Sequence, residues 1–388
     1  MIQREFWLDR IERAWERAPV VWLSGVRRVG KTTLAKQIPD ALVMNCDLPS
    51  TMRRLEDPER FLASVEAPVI VFDEIHRLAD PSRLLKIAAD EFEHLRILAT
   101  GSSTLAATVK FRDSLTGRKR MVHLLPVLHR ELEPFGVRSL EKRLLHGGLP
   151  EPLLADDKDP EFFSEWLDSY FSRDVQELFR VAKRREFLLM VQSLLRASGG
   201  LLEVTSLAKH CKLSRPTVMG YLEALQVTHV IAVIAPFHGG GRQELLRQPK
   251  AYGFDTGFVT HSRGWDSLRA EDCGELWEHV VLEALVAGHG IERVRFWRDT
   301  QRREVDFVIP GTRGRCDAVE CKWRADAFSP RGLTAFRRLH PQGANYVVTP
   351  EPGGPYLRRI ADLDVVFCNL SDLESGDAER LSHGDDSA

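Results

Sequence analysis

No two of the six cysteines form a C-x-x-C pair; Cys46, Cys211, Cys273, Cys316, Cys321 and Cys368 are scattered. That spacing argues against a zinc ribbon and a disulfide framework, and it suits a reducing, cytoplasmic setting. No apolar run reaches membrane-spanning length, and the first residues, MIQREFWLDRIERAW, are charged throughout. Neither a signal peptide nor a membrane anchor is therefore expected. Net charge is nearly absent, at -2. Strong non-specific attraction of the whole chain to nucleic acid is not expected, although local basic patches stay open. No internal repeat is found. What remains is an ordinary soluble composition, 43% apolar and 28% charged over 388 residues, enough for two or three domains of ~150 residues each.

The most informative stretch follows the apolar run Val20–Leu23. Gly25-Val26-Arg27-Arg28-Val29-Gly30-Lys31-Thr32 fits G-x-x-x-x-G-K-[ST], and Thr33 opens a helical pattern. A strand, a glycine-bearing loop and a helix N-terminus form an anion cradle, the P-loop, whose backbone N–H groups face phosphates. Lys31 is expected at the β- and γ-phosphates of ATP, and Thr32 on Mg2+. The buried run Val69–Phe72 ends in Asp73-Glu74. Asp73 then holds the Mg2+ through its waters and Glu74 polarises the attacking water, which implies hydrolysis. Strand 95–100 ends in Thr100-Gly101-Ser102-Ser103. There Ser102 either contacts the γ-phosphate or caps the next helix. Arg118, before a strand expected at 121–127, is either an arginine finger for a neighbouring subunit or one residue of a solvated basic turn with Lys119 and Arg120. The first reading implies a homo-oligomer.

Strands expected at 41–47, 68–74, 95–100 and 121–127 alternate with helices at 55–65 and 81–94. This pattern implies a parallel α/β sheet with ligands at the strand C-terminal ends. An amphipathic helix over 5–18 precedes it. Residues 128–182 read as a helical lid or linker broken at Gly147-Gly148-Leu149-Pro150. Residues 183–247 read as a helical trio ending in a polar loop, Gly241–Lys250. Residues 248–370 are mixed, with a helix at 274–287 and strands at 292–299, 303–310, 316–324, 345–350 and 363–369. The acidic stretch 371–388 reads as a disordered tail.

The P-loop with Asp73-Glu74, the Thr100-Gly101-Ser102-Ser103 strand end and the Leu115-Thr116-Gly117-Arg118 loop resemble the AAA-type ATPases of bacteria and archaea. More narrowly, with Gly147–Glu151 and Tyr170–Asp174, residues 15 to 370 resemble a group in which an AAA domain (1–127) is followed by a winged helix and a nuclease-like domain of unknown function. The resemblance implies that Arg173 acts as a second nucleotide-sensing arginine; the alternative is a surface Arg–Asp pair.

In Leu202–Leu225, Ala208 and Val218 with Leu222 and Leu225 fit the core positions of a helix-turn-helix. Ser214 caps the second helix and Pro216 stands in its first turn. Lys212 stands near the turn position usually held by glycine. Val227–Phe237 and the loop Gly239–Arg242 would form a wing. Lys209, Lys212, Arg215 and Arg242 can meet DNA phosphates. Met219, Tyr221 and Glu223 are not strongly basic, so a structural or protein-binding role stays open.

Farther on, Arg303-Glu304-Val305-Asp306 and Asp317-Ala318-Val319-Glu320-Cys321-Lys322 place Glu320 and Lys322 on one strand face, with Asp306 on the adjoining strand. Two carboxylates can hold Mg2+ or Mn2+, Lys322 can orient the nucleophile, and Glu278 on the preceding helix can complete the metal site. The order resembles the PD-(D/E)XK nuclease core. The domain is either an active nuclease or an inert relative kept for grip or interaction. Arg293, Arg295, Arg298, Arg302 and Arg303 flank it as a nucleic-acid surface or as alternating charges on an exposed strand.

The expectation is thus an ATP-hydrolysing AAA-type ATPase acting on DNA. The alternatives are an ATP-gated scaffold with an inert C-terminal domain and a metal-dependent nuclease whose assembly ATP licenses.

Overall fold

The computed structural model describes residues 2–101, 115–176, 183–239, 248–351 and 353–382. Its first layer is a five-stranded parallel sheet in the order β2-β3-β4-β1-β5. The strands are β1 (Val20–Ser24), β2 (Ala41–Asn45), β3 (Val69–Asp73), β4 (Arg96–Thr100) and β5 (Lys119–His123). β1 and β3 are buried along their whole length, as continuous apolar runs covered on both faces should be. The helix Glu5–Trp15 packs Trp7, Ile11 and Trp15 inward, and the Trp15 indole N–H donates to the Ile97 carbonyl at 2.9 Å.

Several boundaries differ from expectation: the helices expected over 5–18 and 81–94 end at Trp15 and Glu91, and the strand Tyr356–Ile360 of the last layer is not among those expected. The fifth strand stops at His123 instead of reaching Val127, because Pro126 has no N–H to continue the ladder. The helix expected over 55–65 is confined to Pro58–Ala63, and a separate short helix, Pro49–Arg54, precedes it. Pro58 cannot sit inside a helix but suits its first turn, where the Asp57 carboxylate accepts from the Arg60 N–H.

Helices Leu140–His146, Pro150–Leu154 and Pro160–Tyr170 follow, the last running into a π-turn at Phe171–Val175. Next come helices Arg184–Arg196, Val204–Cys211 and Arg215–Val227, with a three-stranded antiparallel sheet, order β6-β8-β7. Its strands are β6 (Gly200–Leu201), β7 (Ile231–Ile234) and β8 (Lys250–Gly253). Ala208, Val218, Leu222 and Leu225 are buried, and Ser214 accepts from the Thr217 N–H. The turn lacks glycine, and Lys212 takes the left-handed conformation in its stead (φ 54°). A non-glycine residue pays about 1 kcal/mol there. Lys250 is no loop residue but the buried first residue of β8. Arg242 lies outside the described residues.

The last layer is a six-stranded mixed sheet, β13-β14-β12-β11-β10-β9. It comprises β9 (Arg295–Arg298), β10 (Glu304–Pro310), β11 (Cys316–Cys321), β12 (Asn345–Val348), β13 (Tyr356–Ile360) and β14 (Leu363–Cys368). The long helix Ala270–His289 packs into one hydrophobic layer and the helix Arg331–Leu339 into another.

The expected disorder from residue 371 is wrong as far as 382. Helices Leu370–Ser375 and Asp377–Ser382 form there, with Leu370 and Ala378 buried and Leu373 and Leu381 against the core. Helically spaced apolar residues hide among the acids, and Asn369 and Asp372 cap each other reciprocally. None of the six cysteines forms a disulfide, and all are buried. No helix among the described residues is long and apolar enough to cross a membrane.

Candidate functional site

Parallel strands present their C-terminal ends to one edge, where β1, β4 and β3 stand side by side. β1 delivers the loop Gly25–Gly30. Gly25 has φ 147°, and a Cβ there would lie 2.6 Å from the Leu124 carbonyl oxygen. Gly30 has φ 99° and caps the helix Lys31–Ala35. Glycine is required at both positions. The Lys31 ammonium donates to the Gly25 and Val26 carbonyls at 2.8 and 3.0 Å. Burial lowers its pKa against the pull of Glu74, Asp174 and Asp73.

The carboxylate of Asp73, at the end of β3, accepts from the Thr32 hydroxyl at 2.9 Å and from the Thr100 hydroxyl at 2.5 Å. Thr100 in turn accepts from the Glu74 N–H at 3.1 Å. Thus β4, lying between β1 and β3, supplies a polar hydroxyl to this edge through Thr100. Ser102, expected in that role, lies outside the described residues. Glu74 itself takes a left-handed backbone (φ 56°). It pairs with His76 at 3.1 Å, and the His76 hydrogen bond holds its pKa below the usual carboxylate range against burial.

Gly25, Gly30, Lys31, Thr32, Glu74 and His76 line a cleft of about 1090 Å³, with Asp73 and Thr100 buried beneath. Val26, Arg27, Arg28, Val29 and Thr33 line it too. From the helical region it receives Pro150, Glu151, Arg173 and Asp174, and from the end of helix Arg215–Val227 it receives Thr228. Arg27 faces Asp174 at 3.5 Å, and Arg28 faces Glu151 at 3.5 Å. Burial raises the Asp174 pKa against Arg27 and Lys31. The Tyr170 and Thr228 hydroxyls bond at 2.6 Å. Behind the loop, His123, whose Nδ1 is 3.2 Å from the Ser24 hydroxyl, lies against His229 with ring centroids 3.8 Å apart. Burial lowers the pKa of both imidazoles, His229 to about 4.

Among the comparisons with known proteins, one family model covers this edge. Residues 17–133 match the model of an AAA domain, residues 137–269 a domain of unknown function (DUF8612) and residues 273–360 another (DUF4143). Over 326 residues the chain is 30% identical to uncharacterized protein Rv2008c of Mycobacterium tuberculosis, covering 80% of this chain and 71% of that protein. The chain belongs to the same family as Rv2008c. Another similar protein is uncharacterized protein MJ1544 of Methanocaldococcus jannaschii, 24% identical over 74% of this chain and 71% of its own length. Among solved structures, the Walker-type ATPase PABY2304 of Pyrococcus abyssi aligns with TM-score 0.42 at 18% identity, over 68% of this chain and 96% of that one. The N-terminal part is a AAA-type P-loop ATPase domain.

Arg118 stands at the opposite edge of the sheet, just before β5, and is outside the cleft of its own chain. It pairs with Asp90 (Nη2–Oδ2 3.1 Å).

In the C-terminal layer, Glu278, Asp306, Glu320 and Lys322 do come together. Lys322 Nζ lies 3.1 Å from Asp306 and 2.8 Å from Glu320. Burial and the neighbouring Asp306 raise the Glu320 pKa to about 8 against Lys322. A divalent ion does not fit well here. No group of three His, Cys, Asp or Glu among the described residues is arranged to hold a metal, and Glu278 is bonded instead to Lys250 and Tyr252. Of the flanking arginines, Arg298 pairs with Glu304 and Arg303 with Asp299.

Several buried polar residues had no motif to reveal them. Asp255, fully buried, accepts from the Gly148, Leu149 and Gly257 N–H groups at 2.6, 3.1 and 2.8 Å. Arg143, also fully buried, donates to Glu283, to the Val127 carbonyl and to Thr256. Arg4 is clamped on Glu131 at 2.6 Å. The one available signal was the glycine pair Gly147-Gly148. A Cβ on Gly147 would lie 2.0 Å from Asp255 Oδ1, and one on Gly148 would lie 2.6 Å from Arg143 Nη2.

Proposed function

We propose that this protein hydrolyses ATP with Mg2+ and passes the nucleotide state to a DNA-contacting winged helix, residues 183–247. The observation carrying the proposal is the bonded set Thr32, Asp73, Thr100 and Glu74 beside the P-loop. Thr32 and Asp73 offer the oxygen donors Mg2+ prefers, so they would hold the ion. The ion would neutralise charge on the phosphates. Lys31 exchanges its loop carbonyls for phosphate oxygens. Glu74, kept ionised by His76, takes a proton from water as the water oxygen bonds the γ-phosphorus and the bridging P–O bond to the β-phosphate breaks. Arg173 faces the cleft as a sensing arginine, and Arg118 serves a neighbouring copy in a homo-oligomer.

The link to DNA rests on position. Helix Arg215–Val227 exposes Arg215, Met219 and Glu223 at its outer face, while Thr228, just past its last turn, lines the nucleotide cleft. Lys209 and Lys212 are exposed beside it. A change at the phosphates therefore reaches the helix that would lie in a groove. ATP turnover is to be measured with and without duplex DNA, for the intact chain and for Lys31→Ala. Turnover stimulated by DNA and lost in Lys31→Ala is expected. Turnover surviving Lys31→Ala would sink the ATPase proposal, and absence of DNA stimulation would favour the second reading. In that reading the chain is an ATP-gated scaffold whose nuclease-like domain is inert. The lysine-bonded carboxylates of the C-terminal layer favour it.

A further inference from the structure

The C-terminal carboxylate cluster holds a cation that comes from another module. Lys250, the first residue of β8, is 4% exposed. Its ammonium lies 3.1 Å from Glu278 Oε1 and 2.5 Å from Glu304 Oε1. It also stands over the Phe296 and Tyr252 rings, at 5.5 and 5.9 Å from their centroids. The Tyr252 hydroxyl donates to Glu278 at 2.5 Å. On the other side of the cluster, Lys322 bridges Asp306 and Glu320, and the Cys321 N–H donates to Asp306 at 2.8 Å. Each of the four carboxylates thus has a lysine partner. We propose that Lys250 stands in the place of a divalent metal, so that these carboxylates clasp β8 to the C-terminal sheet and do not bind metal in the intact chain.

The physical argument turns on what each cation needs. Mg2+ or Mn2+ prefers about six oxygen ligands, and here it would have to strip the ammoniums from carboxylates that are already bonded. Lys250, for its part, is almost wholly buried. An unpaired buried ammonium costs several kcal/mol, so Lys250 can occupy this position only while Glu278 and Glu304 remain its partners. The clasp is continued by backbone: the Phe237 N–H donates to the Phe296 carbonyl at 2.6 Å, and Phe237 packs edge-on against Phe336. The three-helix module and the C-terminal sheet are therefore joined at the cluster that sequence motifs assign to nucleic-acid cleavage.

The test uses the full chain without nucleotide, so it does not depend on the ATPase reading. Mn2+ is titrated and followed by electron paramagnetic resonance. The intact chain and Glu320→Gln are expected to give the same isotherm. Lys250→Met is expected to gain one Mn2+ site at least ~10-fold tighter than any in the intact chain, and to lose it when combined with Glu320→Gln. A Mn2+ site in the intact chain that Glu320→Gln removes would overturn the proposal. So would a folded Lys250→Met, judged by its melting curve, that gains no site. Should Lys250→Met fail to fold, the comparison of the intact chain with Glu320→Gln decides alone.

Discussion

Replacing Asp255 by alanine should damage the protein more than replacing any exposed residue of the nucleotide cleft. The carboxylate is inaccessible and accepts three backbone N–H bonds of 2.6, 3.1 and 2.8 Å. Alanine leaves all three donors buried without a partner, at ~1–3 kcal/mol each. Removing a buried charge returns part of that, so a net loss of about 3–5 kcal/mol is expected. At ~2–4 °C per kcal/mol, the melting transition should fall by about 10 °C. Function should follow, because the Gly148-Leu149 segment leads directly to Pro150 and Glu151 in the cleft. The KM for ATP should rise in Asp255→Ala even at temperatures where the chain remains folded. Asp255→Asn keeps one carbonyl oxygen and should fall between the two. The assay is a circular-dichroism melt beside ATP kinetics. A shift under about 3 °C, or an unchanged KM, would refute the assignment of Asp255 as the anchor of this loop.

Four further outcomes follow from the same geometry. Gly148→Ala should destabilise by ~1–3 kcal/mol, because its methyl meets an immobile guanidinium, whereas Gly288→Ala, a helical site with open space, should not destabilise at all. His76→Ala removes the bond that depresses the Glu74 pKa. The ionised base exists above that pKa, so the acid limb of the kcat–pH profile should move to higher pH; an unmoved limb counts against Glu74 as the base. Arg118→Ala should keep nucleotide binding and lose turnover, and mixing it with Lys31→Ala should restore part of the turnover at interfaces pairing an intact Arg118 with an intact P-loop. No restoration would argue against action in trans. Asp174→Asn takes a carboxylate away from the phosphate end, where it faces Arg27. It should tighten ATP by ~1 kcal/mol, roughly fivefold in KM, and an unchanged KM would remove Asp174 from the phosphate-sensing groups.

The nucleotide edge was readable because its chemistry is local. Gly25, Gly30 and Lys31 lie within one turn and one helix start, and Asp73-Glu74 ends a wholly apolar strand. Each leaves a mark at fixed spacing. The same holds for Ser214, Pro216 and Val218 in the helix pair. Lys250 and Asp255 left no such mark. Both stand in the ordinary-looking stretch Lys250-Ala-Tyr-Gly-Phe-Asp255, whose partners lie far along the chain: Gly148 and Leu149 for one, Glu278 and Glu304 for the other. A charged residue reads as solvent-facing until its partner is known. The acidic end misled for a related reason. Its apolar residues, Leu370, Leu373, Ala378 and Leu381, are few, and what orders them is the core already built beneath.

Those unread residues also decide what kind of machine this is. If the domains were beads on a string, each would close its own core. Instead one hydrophobic cluster runs from Trp7 and Val21 through Phe163 to Leu225, joining the sheet, the helices that follow it and the three-helix module. Where that cluster ends, buried charges take over. Arg143 reaches Glu283 on the long C-terminal helix, and Lys250 reaches Glu278 on the same helix. Apolar packing tolerates small shifts at modest cost, whereas a buried ion pair broken on one side costs ~3–5 kcal/mol. A shift driven from the cleft would break no buried ion pair at the Phe171–Val175 π-turn, where Phe171 and Val175 are held by that apolar packing and Asp174 meets Arg27 over 3.5 Å with both side chains still partly in solvent. That turn, not the C-terminal seam, is where exchange of ATP for ADP should first be felt.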